Sequence, residues 1–150
     1  MAVRLPIGEL AGSAGLDLGR SSAVVITQAD VDDFARLSGD DQWIHVDPER
    51  AVREGLPGTI VHGFLTLSLV GRFWGELLEV TGASQAVNYG LDRVRFLGRV
   101  PVGSAISMSA TVVGAETRSD GVKLATEVAL FADDGAAPVA VATSLVLFLN

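Results

Sequence analysis

The chain has 150 residues, which is the size of one domain, and we expect residues 1–150 to form a single domain. Apolar residues make up 49% of it, so the composition is that of a globular protein with a real core and not of a disordered chain. The net charge of −7 argues against nucleic acid and anionic membranes as partners. The absence of cysteine excludes disulfides, thiolate metal sites and cysteine nucleophiles, and with only two histidines we expect no multi-histidine metal site.

The apolar segments are too short or too interrupted to direct secretion or to cross a membrane. The amino-terminal residues lack the apolar run of a signal peptide. Segment 60–80 contains Arg72, Glu76 and Glu79, and segment 139–149 has 11 residues where a span requires ~20. The sequence therefore predicts a soluble, cytoplasmic protein.

The first predicted element in the chain is an amphipathic helix. Thr27 and Asp30 have the spacing of a capping box, which marks a helix start. Apolar residues then recur at helical spacing, namely Val31, Phe34, Ala35 and Leu37. Gly39 is a typical stop, so we predict a helix over 28–38. The polar segment 40–59, which contains prolines and glycines, predicts irregular structure.

A second helix is predicted to begin at Gly63, and it is apolar on most of its faces, as is typical of a helix at the centre of a fold. Gly71 and Gly75 within it each cost about 1 kcal/mol relative to alanine, which suggests close packing against a sheet or a second subunit. The hydrophobic period then changes to two, which indicates strands over 87–96, 106–112, 122–130 and 141–149. This order predicts an α+β fold in which an antiparallel sheet curls around one long apolar helix.

The densest polar cluster follows the first helix and contains Asp40 and His45. A carboxylate and an imidazole placed beside an apolar helix can act together as general acid and base. The same residues also fit a helix cap, a turn and a structural histidine. Gly63 lies where the first N–H groups of a helix are unpaired and partly positive, so it can bind an oxyanion. A tight turn explains this glycine equally well, and we expect His62 beside it to make a structural hydrogen bond.

Three segments resemble the MaoC-like, (R)-specific enoyl-CoA hydratases. They are Phe34-x-x-Leu-Ser-Gly-Asp40-x-Gln-Trp-Ile-His45-x5-Ala51, Ile60-Val-His-Gly-Phe-Leu-Thr-Leu-Ser68 and Arg95-Phe-Leu-Gly-Arg-Val-Pro-Val-Gly103. The family usually has Asn-Pro where this chain has Gln42-Trp43. That variant is similar to a subgroup related to nodulation protein N. Gln42 still donates and accepts hydrogen bonds, but it is one methylene longer than asparagine.

The resemblance implies a hot-dog fold, a curled antiparallel sheet wrapped around a long central helix. It assigns Asp40 and His45 as a dyad that holds water, the Gly63 N–H as the oxyanion donor, and Gln42 as a supporting residue. The implied reaction is hydration of trans-2-enoyl-CoA thioesters, or the reverse dehydration of 3-hydroxyacyl thioesters, in fatty-acid metabolism. It needs neither a metal nor an organic cofactor. The implied partners are acyl-CoA or an acyl-carrier-protein thioester, and a second copy in a homodimer.

Arg93, Arg95 and Arg99 are candidate ligands for the phosphates of CoA, because arginine pairs with phosphate through two parallel hydrogen bonds. Arginines that simply face solvent from one strand explain the same pattern. Two other functions stay open at this point. One is a non-catalytic accessory protein that binds acyl thioesters on the same fold, and the other is a hot-dog acyl-CoA thioesterase, which would attack the carbonyl carbon.

Overall fold

The computed structural model describes residues 2–150 of the chain. Its helices are α1 (Gln28–Ser38), α2 (Trp43–Val46), α3 (Pro48–Arg53) and α4 (Gly63–Leu77), and a 3₁₀-helix covers Ile7–Gly12. Its strands are β1 (Val3–Pro6), β2 (Asp17–Arg20), β3 (Val24–Val25), β4 (Leu78–Thr81), β5 (Gln85–Phe96), β6 (Ala105–Arg118), β7 (Gly121–Ala132) and β8 (Ala140–Leu149).

The main sheet is antiparallel and has the strand order β2-β6-β7-β8-β5, with β3 pairing with β6 as well. Along most of β6, β7 and β8 alternate residues are buried, and their side chains form one core with α4, to which Phe73 and Leu77 contribute. β1 and β4 form a separate parallel pair. The predicted α+β architecture, a curled sheet around a central apolar helix, is confirmed, and β5 is left at one edge of the sheet with no partner on its outer side in residues 2–150.

The two predicted helices begin where their sequence signals indicate. Thr27 Oγ1 accepts the N–H of Asp30, and the Asp30 carboxylate accepts the N–H of Thr27 at 2.8 Å, so the capping box is formed. Gly39 ends α1 at φ 79°, in the left-handed region that favours glycine. α4 begins at Gly63, and no helix of residues 2–150 is long and apolar enough to span a bilayer.

One expectation was wrong, and one of the two alternatives given for another is excluded. Segment 40–59 is not irregular, because it contains α2 and α3. The Asp47 side chain accepts the N–H of Arg50 at 2.9 Å and Pro48 occupies the first turn, which together start α3. For Gly71 and Gly75, close packing against the sheet is wrong, because a Cβ added at either position would have no heavy atom within 4 Å. This side of α4 is open within the chain, and packing against a second subunit stays a prediction.

Candidate active site

Three short segments bring the site residues together. Asp40 follows the left-handed Gly39 that ends α1, and His45 lies on the single turn of α2. The third segment is the residues that lead into α4. The N–H of Ile60 donates to the carbonyl of Ile44 at 2.9 Å, which holds this segment against α2. The predicted pair and the predicted oxyanion glycine therefore meet through local main-chain bonds.

The orientation of His45 is set by a main-chain carbonyl. Its Nδ1 lies 2.6 Å from the oxygen of Ile60, and because a carbonyl only accepts, Nδ1 carries a proton. In the uncharged ring the lone pair is then on Nε2. That atom lies 4.0 Å from Oδ2 of Asp40, while the His45 ring itself is buried. A gap of 4.0 Å is too long for a direct hydrogen bond, but one water molecule fits there with bonds of about 2.8 Å to each atom.

Gln42 supports the carboxylate, as the family resemblance implies. Its Nε2 donates to Oδ1 of Asp40 at 3.0 Å, which leaves Oδ2 for the side facing His45. The hydrogen bond from Gln42 is the main reason why the pKa of Asp40 is lowered. Partial desolvation opposes this shift, and the nearby histidines add to it. Asp40 is therefore ionised at neutral pH and accepts hydrogen bonds with both oxygens.

We expect Gln42→Leu to move the acidic limb of the pH profile of turnover to higher pH. The hydrogen bond favours the charged form of Asp40, so its loss raises the pKa of that carboxyl, and the ionised fraction falls at a higher pH than in the wild type. The measurement is kcat/KM for hydration of an enoyl thioester across the acidic range. Gln42→Asn, which keeps the amide, is the matched control, and an acidic limb that does not move in Gln42→Leu contradicts the assignment.

His62 completes the cluster from the side of α4. Its Nε2 lies 2.8 Å from the main-chain oxygen of Asp40, which is the structural hydrogen bond expected from the sequence. Its ring stacks on that of His45, with centroids 3.8 Å apart and planes inclined by 24°. Its Nδ1 is buried and has no hydrogen-bond partner among residues 2–150.

Asp40, His45 and His62 present three potential metal ligands within 4.8 Å of one another. A ring nitrogen binds a metal in the plane of its ring, at about 2.0–2.1 Å for zinc. Since the two rings are stacked and nearly parallel, their in-plane lone pairs do not converge on a common point at that distance. The geometry suits a bridging water and acid–base chemistry better than a metal ion.

Gly63 is the first residue of α4, so its N–H has no partner within the helix. It follows His62 directly and therefore lies beside the stacked rings. The ring of Phe96, at the end of β5, comes within 3.2 Å of the position that a Cβ of residue 63 would take. Glycine permits this close approach, and the exposed ring of Phe64 meets that of Phe96 edge-on at 6.0 Å.

A groove runs between α4 and β5, with β8 as its floor. Two adjoining cavities of about 330 and 350 Å³ form it, and they share Gly71 and Asn88 in their linings. One end contains Phe64, next to Gly63, and the far end contains Leu78. Ser144 lies on the floor, where its hydroxyl accepts the indole N–H of Trp74 at 3.2 Å.

The three candidate arginines lie on or after β5. Arg93 occupies a bulge at φ 53° and lines a separate cavity of about 400 Å³ on the outer face of the sheet. Arg95 donates to the carbonyl of Val94 and precedes Phe96, so its side chain leaves the opposite face of the strand from that ring. Arg99 is exposed in the following loop. Within residues 2–150 none of them bonds to Asp40 or His45.

Sequence reasoning did not find the carbonyl of Ile60, the ring of Phe96 or the groove. The Ile60 oxygen is a main-chain group, so no residue type at that position signals it. Phe96 lies within the third motif, and the alternation along β5 was a signal that could have placed it on the inner face.

Comparisons with known proteins agree with this geometry. A family model described as "MaoC like domain" matches residues 10–132. The 3-hydroxyacyl-thioester dehydratase Z of Mycobacterium tuberculosis (strain ATCC 25618 / H37Rv) is 43% identical over 144 residues, which is 95% of each protein. Nodulation protein N of Rhizobium leguminosarum bv. viciae is 40% identical over 104 residues, 68% of this chain and 65% of that protein.

Solved structures show the same fold. The (R)-hydratase from A. caviae involved in PHA biosynthesis has a TM-score of 0.72 and 26% sequence identity, over 90% of this chain and 96% of that one. The resemblance seen in the three motifs is thus confirmed by matches that extend over most of the sequence. The chain belongs to the MaoC-like dehydratase family.

Proposed function

We propose that this chain catalyses the reversible, (R)-specific hydration of trans-2-enoyl thioesters in fatty-acid metabolism, the reverse reaction being dehydration of 3-hydroxyacyl thioesters. The observation that carries the proposal is the 4.0 Å gap between Nε2 of His45 and Oδ2 of Asp40. α4 begins directly after His62, whose ring stacks on that of His45. The name of the mycobacterial relative, a 3-hydroxyacyl-thioester dehydratase, supports it.

In the hydration direction, Asp40 and His45 hold one water between two acceptor atoms. Because the water donates a hydrogen to each, its lone pair is left to attack Cβ of the enoyl group. As the C–O bond forms, the dyad accepts one proton of the water and returns a proton to Cα, so that H and OH are added across the double bond. Dehydration proceeds through the same steps in the reverse direction.

Negative charge develops on the thioester oxygen during either reaction. The N–H of Gly63 is suited to stabilise it, because this donor lies at the positive end of a helix and has no other helical partner. Residue 63 has no side chain beside this amide, and the ring of Phe96 packs at 3.2 Å from the position that its Cβ would take. The exposed rings of Phe64 and Phe96 flank the same place and offer an apolar surface to the thioester arm.

The groove between α4 and β5 is the proposed site of the acyl chain. It begins beside Gly63 and follows α4 for about 20 Å. Its walls are mainly apolar, and the glycines of α4 keep it open. Gly71 lines both cavities, so a larger residue there would divide the groove.

We therefore expect Gly71→Leu to shorten the acyl chain that the protein accepts. kcat/KM for trans-2-dodecenoyl-CoA should fall about tenfold or more, because the new side chain occupies the groove, while kcat/KM for crotonyl-CoA stays within about twofold. Arg72→Leu is the matched control, since this neighbour is exposed on α4 and lines neither cavity. An unchanged chain-length profile in Gly71→Leu would place the acyl chain elsewhere.

A homodimer is proposed from the edge of the main sheet. β5 has no partner on its outer side within residues 2–150, and it exposes Val87, Tyr89 and Leu91. Open strand edges of this kind pair readily with a second strand. A second copy along β5 would cover the groove beside it and convert it into a tunnel. Light scattering coupled to size-exclusion chromatography should give twice the chain mass, and a monomer would contradict the proposal.

The thioester handle is proposed to be CoA or acyl-carrier protein, and Arg93, Arg95 and Arg99 are proposed to meet its phosphates. Their support is chemical, because the three guanidinium groups cluster in sequence on an otherwise acidic chain. Arg95→Ala and Arg99→Ala should raise KM for the CoA ester and leave kcat nearly unchanged. If KM is unchanged in both variants, Arg95 and Arg99 do not bind the phosphates and simply face solvent.

The decisive experiment is a spectrophotometric assay with a series of trans-2-enoyl-CoA esters. Hydration removes the conjugated enoyl absorbance and leaves the thioester intact, whereas a thioesterase releases free CoA, which a thiol reagent detects. A folded protein that binds the esters but changes neither signal would be an accessory binding protein. Either of these last two results overturns the proposal.

A further inference from the structure

We propose that His62 is the positioning residue of the dyad: its Nε2–H fixes the main chain of Asp40, and its ring fixes the plane of His45. The inference deepens the proposed function and rests on it. It uses a hydrogen bond of 2.8 Å and a ring stack of 3.8 Å that involve the two members of the dyad at once. His62 is the only side chain of residues 2–150 that makes both contacts.

The contacts of His62 define how its ring is used. The oxygen of Asp40 is an acceptor, so Nε2 of His62 is the donor and is occupied by this bond. Nδ1 is buried and has no partner among the described residues. The side chain presents the face of its ring to His45, not a nitrogen. With one nitrogen occupied and the other enclosed, the contacts of His62 suit it to positioning the dyad rather than to exchanging protons with a substrate.

The contacts of His62 matter because each member of the dyad has only one side-chain hydrogen bond of its own within residues 2–150, with Gln42 for Asp40 and with Ile60 for His45. The Asp40 side chain is 40% exposed and has one side-chain hydrogen bond, from Gln42. On its amino-terminal side, the Asp40 main chain is held by a long hydrogen bond of 3.3 Å from its N–H to the hydroxyl of Ser38. The shorter bond from His62, at 2.8 Å, holds the carbonyl side of Asp40.

For His45, the feature that His62 fixes is the plane of the ring. The side-chain hydrogen bond of His45 to the carbonyl of Ile60 fixes the position of Nδ1 but does not by itself set the plane of the buried ring. Stacking on His62 sets that plane, and Phe34 packs against His62 with ring centroids 5.0 Å apart. The two anchors together set the gap that holds the water. A misplacement of about 1 Å in such a gap can cost ~10²-fold in rate.

The chain allows the two contacts to be removed separately. His62→Gln retains an amide nitrogen close to the position of Nε2 but has no ring, whereas His62→Phe retains the ring but has no donor. His62→Ala removes both. We expect kcat to fall ~10²-fold in His62→Ala and about tenfold in each of the other two variants. KM should stay within about twofold, because His62 touches no substrate.

The pH profile separates positioning from proton transfer. If His62 only positions the dyad, the three variants keep both limbs at lower amplitude. The acidic limb moves to higher pH by less than in Gln42→Leu, because His62 contributes less than Gln42 to the lowering of the Asp40 pKa. If it exchanges protons with the substrate, His62→Gln loses as much activity as a dyad variant and one limb disappears, which would overturn the inference. Thermal melting identifies any variant that fails to fold, and the remaining variants then decide the question.

A second readout does not depend on turnover. The chain has two histidines, so every His62 variant of an untagged protein has His45 as its sole histidine. The ring ¹⁵N signals of these variants can therefore be assigned to His45 without ambiguity. We expect the Nδ1–H tautomer of His45 in the wild type and in His62→Phe, and averaged ring signals in His62→Ala. An unaltered His45 spectrum and unaltered kcat in folded His62→Ala would refute positioning. Absence of turnover in the wild type would instead refute the proposed function.

Discussion

Asp40→Asn and His45→Gln are each expected to lower kcat for enoyl-thioester hydration at least a hundredfold while the protein stays folded. General acid–base catalysis typically raises the rate ~10²–10⁴-fold. Each substitution removes one of the two groups that can take a proton from the water. Asparagine keeps the size of Asp40 but cannot take a proton, and glutamine cannot do so at the place of His45. The measurement is the initial rate of loss of the enoyl absorbance at saturating substrate.

Asp41→Asn is the matched control for the carboxylate. It makes the same change of charge at the adjacent, exposed residue, so it should leave kcat within about twofold of the wild type. kcat of the double variant of Asp40 and His45 should be about as low as that of the less active single variant and not lower, because both residues act on one water. Near-normal turnover in either folded single variant would remove that residue from the mechanism.

Gly63→Pro is expected to reduce kcat ~10²–10³-fold, which is the usual effect of deleting one oxyanion donor. Proline has no N–H, yet it is favoured at the first position of a helix, where Gly63 lies. The preceding residue, His62, has φ −58° and ψ 140°, a conformation that a following proline permits. The substitution therefore deletes the proposed donor with little disturbance of α4, and circular dichroism checks that the helix is retained.

Gly63→Ala is the control for the steric part of this change. Its Cβ meets the ring of Phe96 at 3.2 Å, so the ring must shift by a few tenths of an ångström, but the N–H is kept. We expect it to lose less than about tenfold. If Gly63→Pro and Gly63→Ala are equally active, the main-chain amide is not the oxyanion donor.

The long elements of this fold could be predicted from the sequence because they have many residues over which a period can be counted. α1 was predicted from its caps and apolar spacing, α4 from its apolar residues, and β5 to β8 from their alternation. The strands β1 to β4 have two to four residues each, too few to show a period. α2 and α3 are one or two turns long, and their caps compete with loop signals from the same proline and glycine residues.

The candidate site divides in a similar way. Asp40, His45 and Gly63 were found because their residue types and spacing are those of a known family, and the structure brings all three segments together. The alternative that the α4 glycines pack closely against the sheet was wrong, since a glycine in a helix signals either a close contact or an open space. Within the chain, only the neighbouring strand decides which. At Gly71 and Gly75 that neighbour is β5, and it stands far enough away to leave the groove.

The bond between Nδ1 of His45 and the carbonyl of Ile60 has a consequence for how the family can diverge. Every amino acid supplies that oxygen, so mutation at position 60 leaves the imidazole tautomer intact provided that the local chain path survives. Alignment columns, which compare side chains, would score the position as neutral even though the proposed mechanism depends on its main-chain oxygen. Amino-acid substitutions at position 60 therefore preserve this hydrogen bond. It is lost only when an insertion, a deletion or a backbone distortion moves the carbonyl.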